Sequence, residues 1–327
     1  MTAHNRRDFL ALTTAATFGS SLAATTTARA DAPRPVRVLA VPSDSVSALL
    51  YAKKANLFLK HGIDATIGSM GGGATIFAAV LGGSAEFGSG SVWPVFEACG
   101  RGIPLRIVAP ISIYSSARPD AFLFVRTDSP IRVARDLNGK VMGADSTSPD
   151  ITVMATRSWI DQHGGDGSSL RSIELTKPEQ VESLLAGRID VVSLRPPFLS
   201  VARQQPEKFR VLGTPYDSIG SRWLLSCWVA TADFIAQNPD VVKGFVAALI
   251  EAAHYTNAHQ AETIDLVAAF SGQDAATLAK GPRNPIAEAV SLAELQAPLD
   301  FAYKYGVIAQ HVDLSTILAP SFPISRS

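Results

Sequence analysis

Val36-Arg37-Val38-Leu39-Ala40-Val41, then Ser43-Asp44-Ser45, then the run from Val46 to His61-Gly62: this stretch decides the fold. The first six residues form an apolar run that suits a strand covered on both faces of a sheet. Ser43, Asp44 and Ser45 offer N-cap chemistry, Val46, Leu49 and Leu50 line one face of a helix, and His61-Gly62 supplies its stop. The unit then repeats as strand 65–67, the glycine turn Gly71-Gly72-Gly73, helix 74–81, strand 86–88, helix 93–99 and strand 105–110. Regular β-α alternation predicts an α/β fold with a doubly wound, mainly parallel sheet.

A second series begins after Phe122-Leu123-Phe124-Val125, with strand 140–143, helix 151–162, strand 172–175, helix 178–186 and strand 190–194. Two such sets, each of about 90 residues, suggest two lobes rather than one large sheet. Beyond Arg210-Val211-Leu212-Gly213, residues 223–230 read as a strand and a long helical region follows. Asn238-Pro239 caps its first helix, with Val242, Phe245, Val246, Leu249 and Ala253 on one stripe; Ile264, Val267 and Phe270 carry a second helix to Gly272. Packed on the first lobe, these helices would make the chain cross between lobes near 112–122 and 213–224, a natural hinge. The expected division is a leader, 1–30; one lobe of 31–117 with 220–327 and the C-terminal helices; and a second lobe of 118–219.

The leader is read from Asn5-Arg6-Arg7-Asp8-Phe9-Leu10, an arginine pair ahead of an apolar stretch that runs to about Ala24, and from the small residues of Ala28-Arg29-Ala30. It looks like a twin-arginine export signal and implies a periplasmic product. The stretch is rich in Thr and Ser and shorter than the roughly 20 residues of a bilayer span. The chain's 29 basic and 29 acidic residues balance, so nothing in the charge points to nucleic acid. Cys99 and Cys227 could pair, but with only two cysteines and no C-x-x-C they read better as core thiols. The six histidines form no H-E-x-x-H, and the glycine run matches neither a dinucleotide fingerprint nor a P-loop. No metal, no cofactor and no catalytic role is expected.

Several stretches in order carry a resemblance. Leu50-Tyr51-Ala52-Lys53-Lys54-Ala55-Asn56-Leu57-Phe58-Leu59-Lys60-His61-Gly62-Ile63, then Gly72-Gly73 through Ala78-Ala79 and Leu81-Gly82 to Glu86-Phe87-Gly88, then Asp136-Leu137-Asn138-Gly139-Lys140-Val141 and Leu185-Ala186-Gly187-Arg188-Ile189-Asp190 resemble the ATP-binding-cassette importer receptors for sulfonates, taurine and nitrate, a family that also includes pyrimidine-precursor binders. The resemblance covers nearly the whole chain after the leader. It implies a two-lobed periplasmic-binding-protein fold of type II character with a ligand cleft between the lobes. The implied role is a monomeric receptor that captures a small, anionic organic solute and delivers it to a permease and an ATPase. The alternatives are a pyrimidine-precursor-binding or synthase-like protein of the same fold, and a periplasmic sensor serving a histidine kinase.

In open α/β sheets the crevice outside the carboxyl ends of the strands is the default binding place. The expected contacts are Ser43 and Asp44 after the first strand, Gly72 and Gly73 after the second, Ser91 after the third, and Ser146, Thr147 and Ser148 in the second lobe. Hydroxyls and glycines at helix N-termini suit an anion; each alone reads first as an ordinary cap, and their convergence points to a ligand. Asp44 would either cap its helix or meet an ammonium group on the solute. Arg195, in Leu194-Arg195-Pro196-Pro197-Phe198, would hold a carboxylate or sulfonate, or else stand solvated on its loop. Trp93, Tyr114 and Trp223 offer aromatic surface near strand ends, as ligand walls or as packing.

Overall fold

The computed structural model describes residues 32–145, 150–196, 198–281, 283 and 285–325; the expected leader and Ser146, Thr147 and Ser148 lie outside the described residues. Ten strands follow one another: β1 Arg34–Ala40, β2 Ile63–Ser69, β3 Phe87–Ser91, β4 Leu105–Ser115, β5 Phe122–Arg126, β6 Val141–Ala144, β7 Arg171–Glu174, β8 Val191–Leu194, β9 Phe209–Gly213 and β10 Arg222–Thr231. They form two five-stranded sheets, ordered β2-β1-β3-β10-β4 and β7-β6-β8-β5-β9. In the first, β1 runs parallel to β2 and β3 while β10 runs against β3 and β4. The second repeats the plan, with β5 as the antiparallel strand.

The odd strand in each sheet has a common origin. The chain leaves the first sheet after Ser115 and enters the second at Phe122; it leaves the second after Gly213 and re-enters the first at Arg222. Phe122 pairs with Leu194, at the carboxyl end of β8, and Arg222 pairs with Ser115, at the carboxyl end of β4. A strand that arrives at the carboxyl edge of its new sheet has to run back against its neighbours. The same fact sets the two carboxyl edges on either side of two short connections, 116–121 and 214–221.

Each sheet is covered on both faces, which is why its strands read as apolar runs. In the first, helix Pro239–Ala258 buries the stripe Val242, Phe245, Val246, Leu249 and Ala253. Phe245 stacks on Phe87 of β3 with ring centroids 3.8 Å apart. On the other face helix Gly73–Leu81 sits hard on β3. A Cβ at Gly88 would come within 2.5 Å of Ile76, and one at Gly73 within 2.9 Å of the Gly90 backbone. Gly73 is therefore a packing requirement at the carboxyl edge of β3, while Gly72 serves the turn with its positive φ.

Two features depart from the sequence reading. The first helix is broken into Ser47–Lys54 and Leu57–Lys60. Asn56 takes φ 57° between them, a left-handed conformation that asparagine tolerates better than most residues. The C-terminal region also contains helix Leu292–Lys304, opened by a capping box in which Ser291 and Glu294 bond reciprocally. Phe301 and Leu299 from this helix enter the core beside Trp93 and Trp223.

Glu294 also accepts from Arg222 at 2.7 Å. Burial alone would raise its pKa, but the Ser291 N–H and the Arg222 guanidinium together hold it below the usual 4.5. A lowered carboxylate adds stability that is present above its unfolded pKa and is lost as pH falls through the folded value. Glu294→Gln is therefore expected to shrink the drop in melting temperature between neutral pH and about pH 4, measured by circular dichroism.

Cys99 donates through Sγ to the Leu105 carbonyl at 3.2 Å and Cys227 is fully buried; both are free thiols. Burial pushes the pKa of each upward, so neither is an activated thiolate.

Candidate functional site

On the first sheet the expected residues fall along one edge. Ser43 precedes the turn Asp44–Val46, and its hydroxyl lies 2.8 Å from that of Ser45. Gly72, at φ 88°, precedes helix Gly73–Leu81, and Ser91 ends β3 and precedes helix Val92–Gly100 without forming a side-chain cap. The approach of Gly73 to Gly90 brings these two helix starts together. They present backbone donors and one uncommitted hydroxyl at neighbouring points of the carboxyl edge.

Asp44 takes neither expected role. It caps nothing; its carboxylate accepts from Arg283 Nε at 2.8 Å and is ion-paired with Nη2 of the same guanidinium. Only 9% of the Arg283 side chain is exposed, and its remaining nitrogen bonds the Gln260 carbonyl. An internal arginine thus answers the charge that was expected to meet an ammonium group. It comes from 239 positions along the chain, a pairing no local pattern predicts.

Across from this edge, Arg195 follows β8. Its Nη2 donates to Asp120 Oδ2 at 2.5 Å, and its guanidinium carbon stands 5.7 Å from the centre of the Tyr216 ring. The Nε–H has no partner among the described residues. Protein surrounds the group, yet 36% of the side-chain surface stays open; a side chain on the floor of a cleft has this combination. Burial by itself would lower its pKa, but the charge of Asp120, the neighbouring tyrosines and the hydrogen bond to Asp120 together outweigh burial and leave the pKa above the ordinary arginine value. The guanidinium is permanently charged, and its buried Nε–H is left without a partner among the described residues.

Lys177 is paired with Asp145 at 3.0 Å, and Gln180 donates to the same carboxylate at 2.9 Å. Asp150 caps helix Ile151–Gln162, accepting from Thr152 N–H at 2.7 Å and from Asp145 N–H at 3.0 Å. The second-lobe helix start expected to serve an anion therefore already carries a carboxylate. Arg195, Lys177 and Arg283 each hold an acid. The edge is lined by neutralised pairs rather than by a basic patch.

The aromatic residues are packing. Trp223 is fully buried, with its Nε1 donating to the Tyr216 carbonyl at 3.3 Å. Tyr114, 1% exposed, donates its hydroxyl to Asp217 at 2.8 Å. Trp93 packs edge-on against Phe301 and Trp223, at 5.7 and 6.5 Å. None of the three has surface for a ligand wall, because Leu292–Lys304 and the connection 214–221 cover the strand ends near them. Burial, then the bond to Asp217, pushes the Tyr114 pKa far up, and burial does the same for Tyr216; both remain neutral phenols.

Asp120, Asp145, Lys177, Tyr216 and Arg283 were not singled out from the sequence. Lys177 lies inside the capping box Thr176–Glu179, a legible signal that the chain is turning at a strand end. Among the described residues no three His, Cys, Asp or Glu side chains gather as a metal site, and no helix is long and apolar enough to cross a membrane.

Comparison with known proteins agrees with this architecture. A protein of Brucella abortus named as a binding protein is 27% identical over 286 residues, spanning 85% of this chain and 83% of the relative. The periplasmic aliphatic sulphonate binding protein SsuA from Escherichia coli superposes with a TM-score of 0.71 at 21% identity, covering 88% of this chain and 98% of its own. The alkanesulfonate-binding protein SsuA from Xanthomonas axonopodis pv. citri, bound to MOPS, gives 0.65 at 20% identity, covering 90% and 99%. Both likenesses show the same two-lobed α/β periplasmic-binding-protein fold. The family model described as NMT1/THI5 like matches residues 43–263, more than half of the chain. By fold and by sequence, this protein belongs to the NMT1/THI5-like family.

Proposed function

We propose that the chain is a solute-binding receptor of an ATP-binding-cassette importer, which captures a small organic anion between its two sheets. The observation that carries this reading is Arg195, enclosed by protein yet open on one side. It stands at the carboxyl end of β8 beside two connections able to act as a hinge, and the first sheet's helix starts with their free N–H groups lie at the carboxyl edge those connections join. An anion there accepts from the open part of the Arg195 guanidinium on one side and from the backbone donors of Gly73–Leu81 and Val92–Gly100 on the other. Bridging the lobes expels water and favours the closed form, which the permease then recognises. No covalent step is involved.

The acid held by each nearby base favours a solute that brings its own apolar body over a highly charged one. The E. coli relative named for aliphatic sulphonates and the Xanthomonas relative holding MOPS support that class. Export through the arginine-pair leader to the periplasm, and partnership with a membrane permease and its ATPase, belong to the same proposal.

A thermal-shift screen of short alkanesulfonates, carboxylates, nitrate and pyrimidines tests it. A true ligand at a hundred times its dissociation constant adds about 2.7 kcal/mol of stability, and a saturable rise is expected among the organic anions. A response confined to pyrimidines would instead establish the precursor-binding alternative.

A further inference from the structure

A cavity bordered by described residues that argues for a ligand lies at the outer edge of β4. Its volume is about 340 Å³, within the range of roughly 300–1,000 Å³ typical of small-molecule sites. Ile113, Ile286 and Ala289 give it an apolar lining, and Arg118, Arg222 and Glu288 stand on its rim. β4 is the edge strand, with β10 between it and β3. At about 4.8 Å per strand the cavity is roughly 10 Å from the carboxyl end of β3.

The wall formed by residues 285–289 is fixed in place. The Ala287 N–H donates to the Ile111 carbonyl at 2.9 Å. Asn257 clamps Ile286 from both sides, accepting from its N–H at 2.8 Å and donating to its carbonyl at 2.9 Å. Both backbone polar groups of Ile286 are satisfied, so the segment holds its place, with the Ile286 side chain anchored in the core and only 9% exposed.

The rim charges are not all paired with one another. Arg222 is held by Glu294 at 2.7 Å. Glu288 accepts from Asn257 at 3.3 Å and lies 3.5 Å from His254. Arg118 donates only to the Arg283 carbonyl, at 3.2 Å, and no carboxylate among the described residues pairs with it. One exposed guanidinium therefore stands beside the cavity without a carboxylate of the described residues bound to it, with Glu288 on another part of the rim.

We propose that this cavity is a second small-molecule site, which takes an amphipathic organic anion with a single carboxylate or sulfonate head on Arg118 and a short apolar body against Ile113, Ile286 and Ala289. Because Arg118 lies on the connection 116–121, an occupant touches one of the two crossovers directly. The site is separate from the importer reading and stands or falls by its own measurement.

The test uses the whole exported chain with its isoleucine methyl groups carbon-13 labelled, and hexanoate as probe. Titration is expected to shift the Ile113 and Ile286 methyl signals saturably, with hexan-1-ol producing a much weaker response. Arg118→Ala, at an exposed position that leaves the core untouched, should weaken hexanoate at least about tenfold, and Arg118→Lys should restore part of the loss. Silent Ile113 and Ile286 methyls, equal binding of hexan-1-ol, or an unchanged affinity in Arg118→Ala would each overturn the proposal. A failed thermal-shift screen would count against the importer reading alone, so the two results are distinguishable.

Discussion

Replacing Trp223 with alanine is expected to destabilise the protein by about 3–5 kcal/mol, the range for removing a large aromatic side chain from a packed core. The side chain is fully buried where β10 re-enters the first sheet. It meets the rings of Tyr114 and Tyr216 at 5.5 Å each and that of Trp93 at 6.5 Å. Its indole N–H satisfies the Tyr216 carbonyl. Alanine would leave a cavity at the point where the return connection meets the first sheet, and that carbonyl would lose its donor. Urea unfolding followed by circular dichroism measures the change. A loss below about 1 kcal/mol would show that the crossover is not built around this residue.

Arg195→Ala is the second large effect, and it falls on binding more than on folding. Losing a charge-assisted contact to the solute is expected to weaken an anionic ligand by about 10- to 100-fold, or roughly 1.5–3 kcal/mol. Only 13% of the Asp120 side chain is exposed, so the variant is also expected to lose some stability, and affinities are compared at a temperature where both proteins are folded. Asp120→Asn should act in the opposite sense, tightening anion binding by removing the competing carboxylate. Isothermal titration with a solute from the screen reads both. Equal affinities across wild type and both variants would place the ligand elsewhere.

Much of the fold was legible because it rests on local pattern. Helix Ile151–Gln162 has the bounds its periodicity predicts, and the buried stripe of Pro239–Ala258 holds the five residues expected of it. The antiparallel strand in each sheet was not legible. Strand direction at a crossover depends on which edge the chain enters, and the apolar runs Phe122–Arg126 and Arg222–Thr231 look the same either way round. Helix Leu292–Lys304 was passed over although Ser291 and Glu294 announced it, and its absence from the reading made Trp93 and Trp223 look available to a ligand.

The site was legible in outline only. Strand-end glycines and serines mark an edge, since their conformations and caps are local. What neutralises a charge there is a long-range fact. Asp44 meets Arg283 and Arg195 meets Asp120 across separations of 239 and 75 residues. A lone sequence gives no sign of either pairing, and so a row of paired charges was read as a place for free ones.

The central claim is that the two carboxyl edges close on a guest. Small-angle X-ray scattering of the protein, with and without a saturating solute, tests it most directly. The account predicts a smaller radius of gyration with solute bound, and no change when the same solute is added to Arg195→Ala at a concentration too low to fill the weakened site. An unchanged radius at full occupancy of the wild-type protein would contradict it.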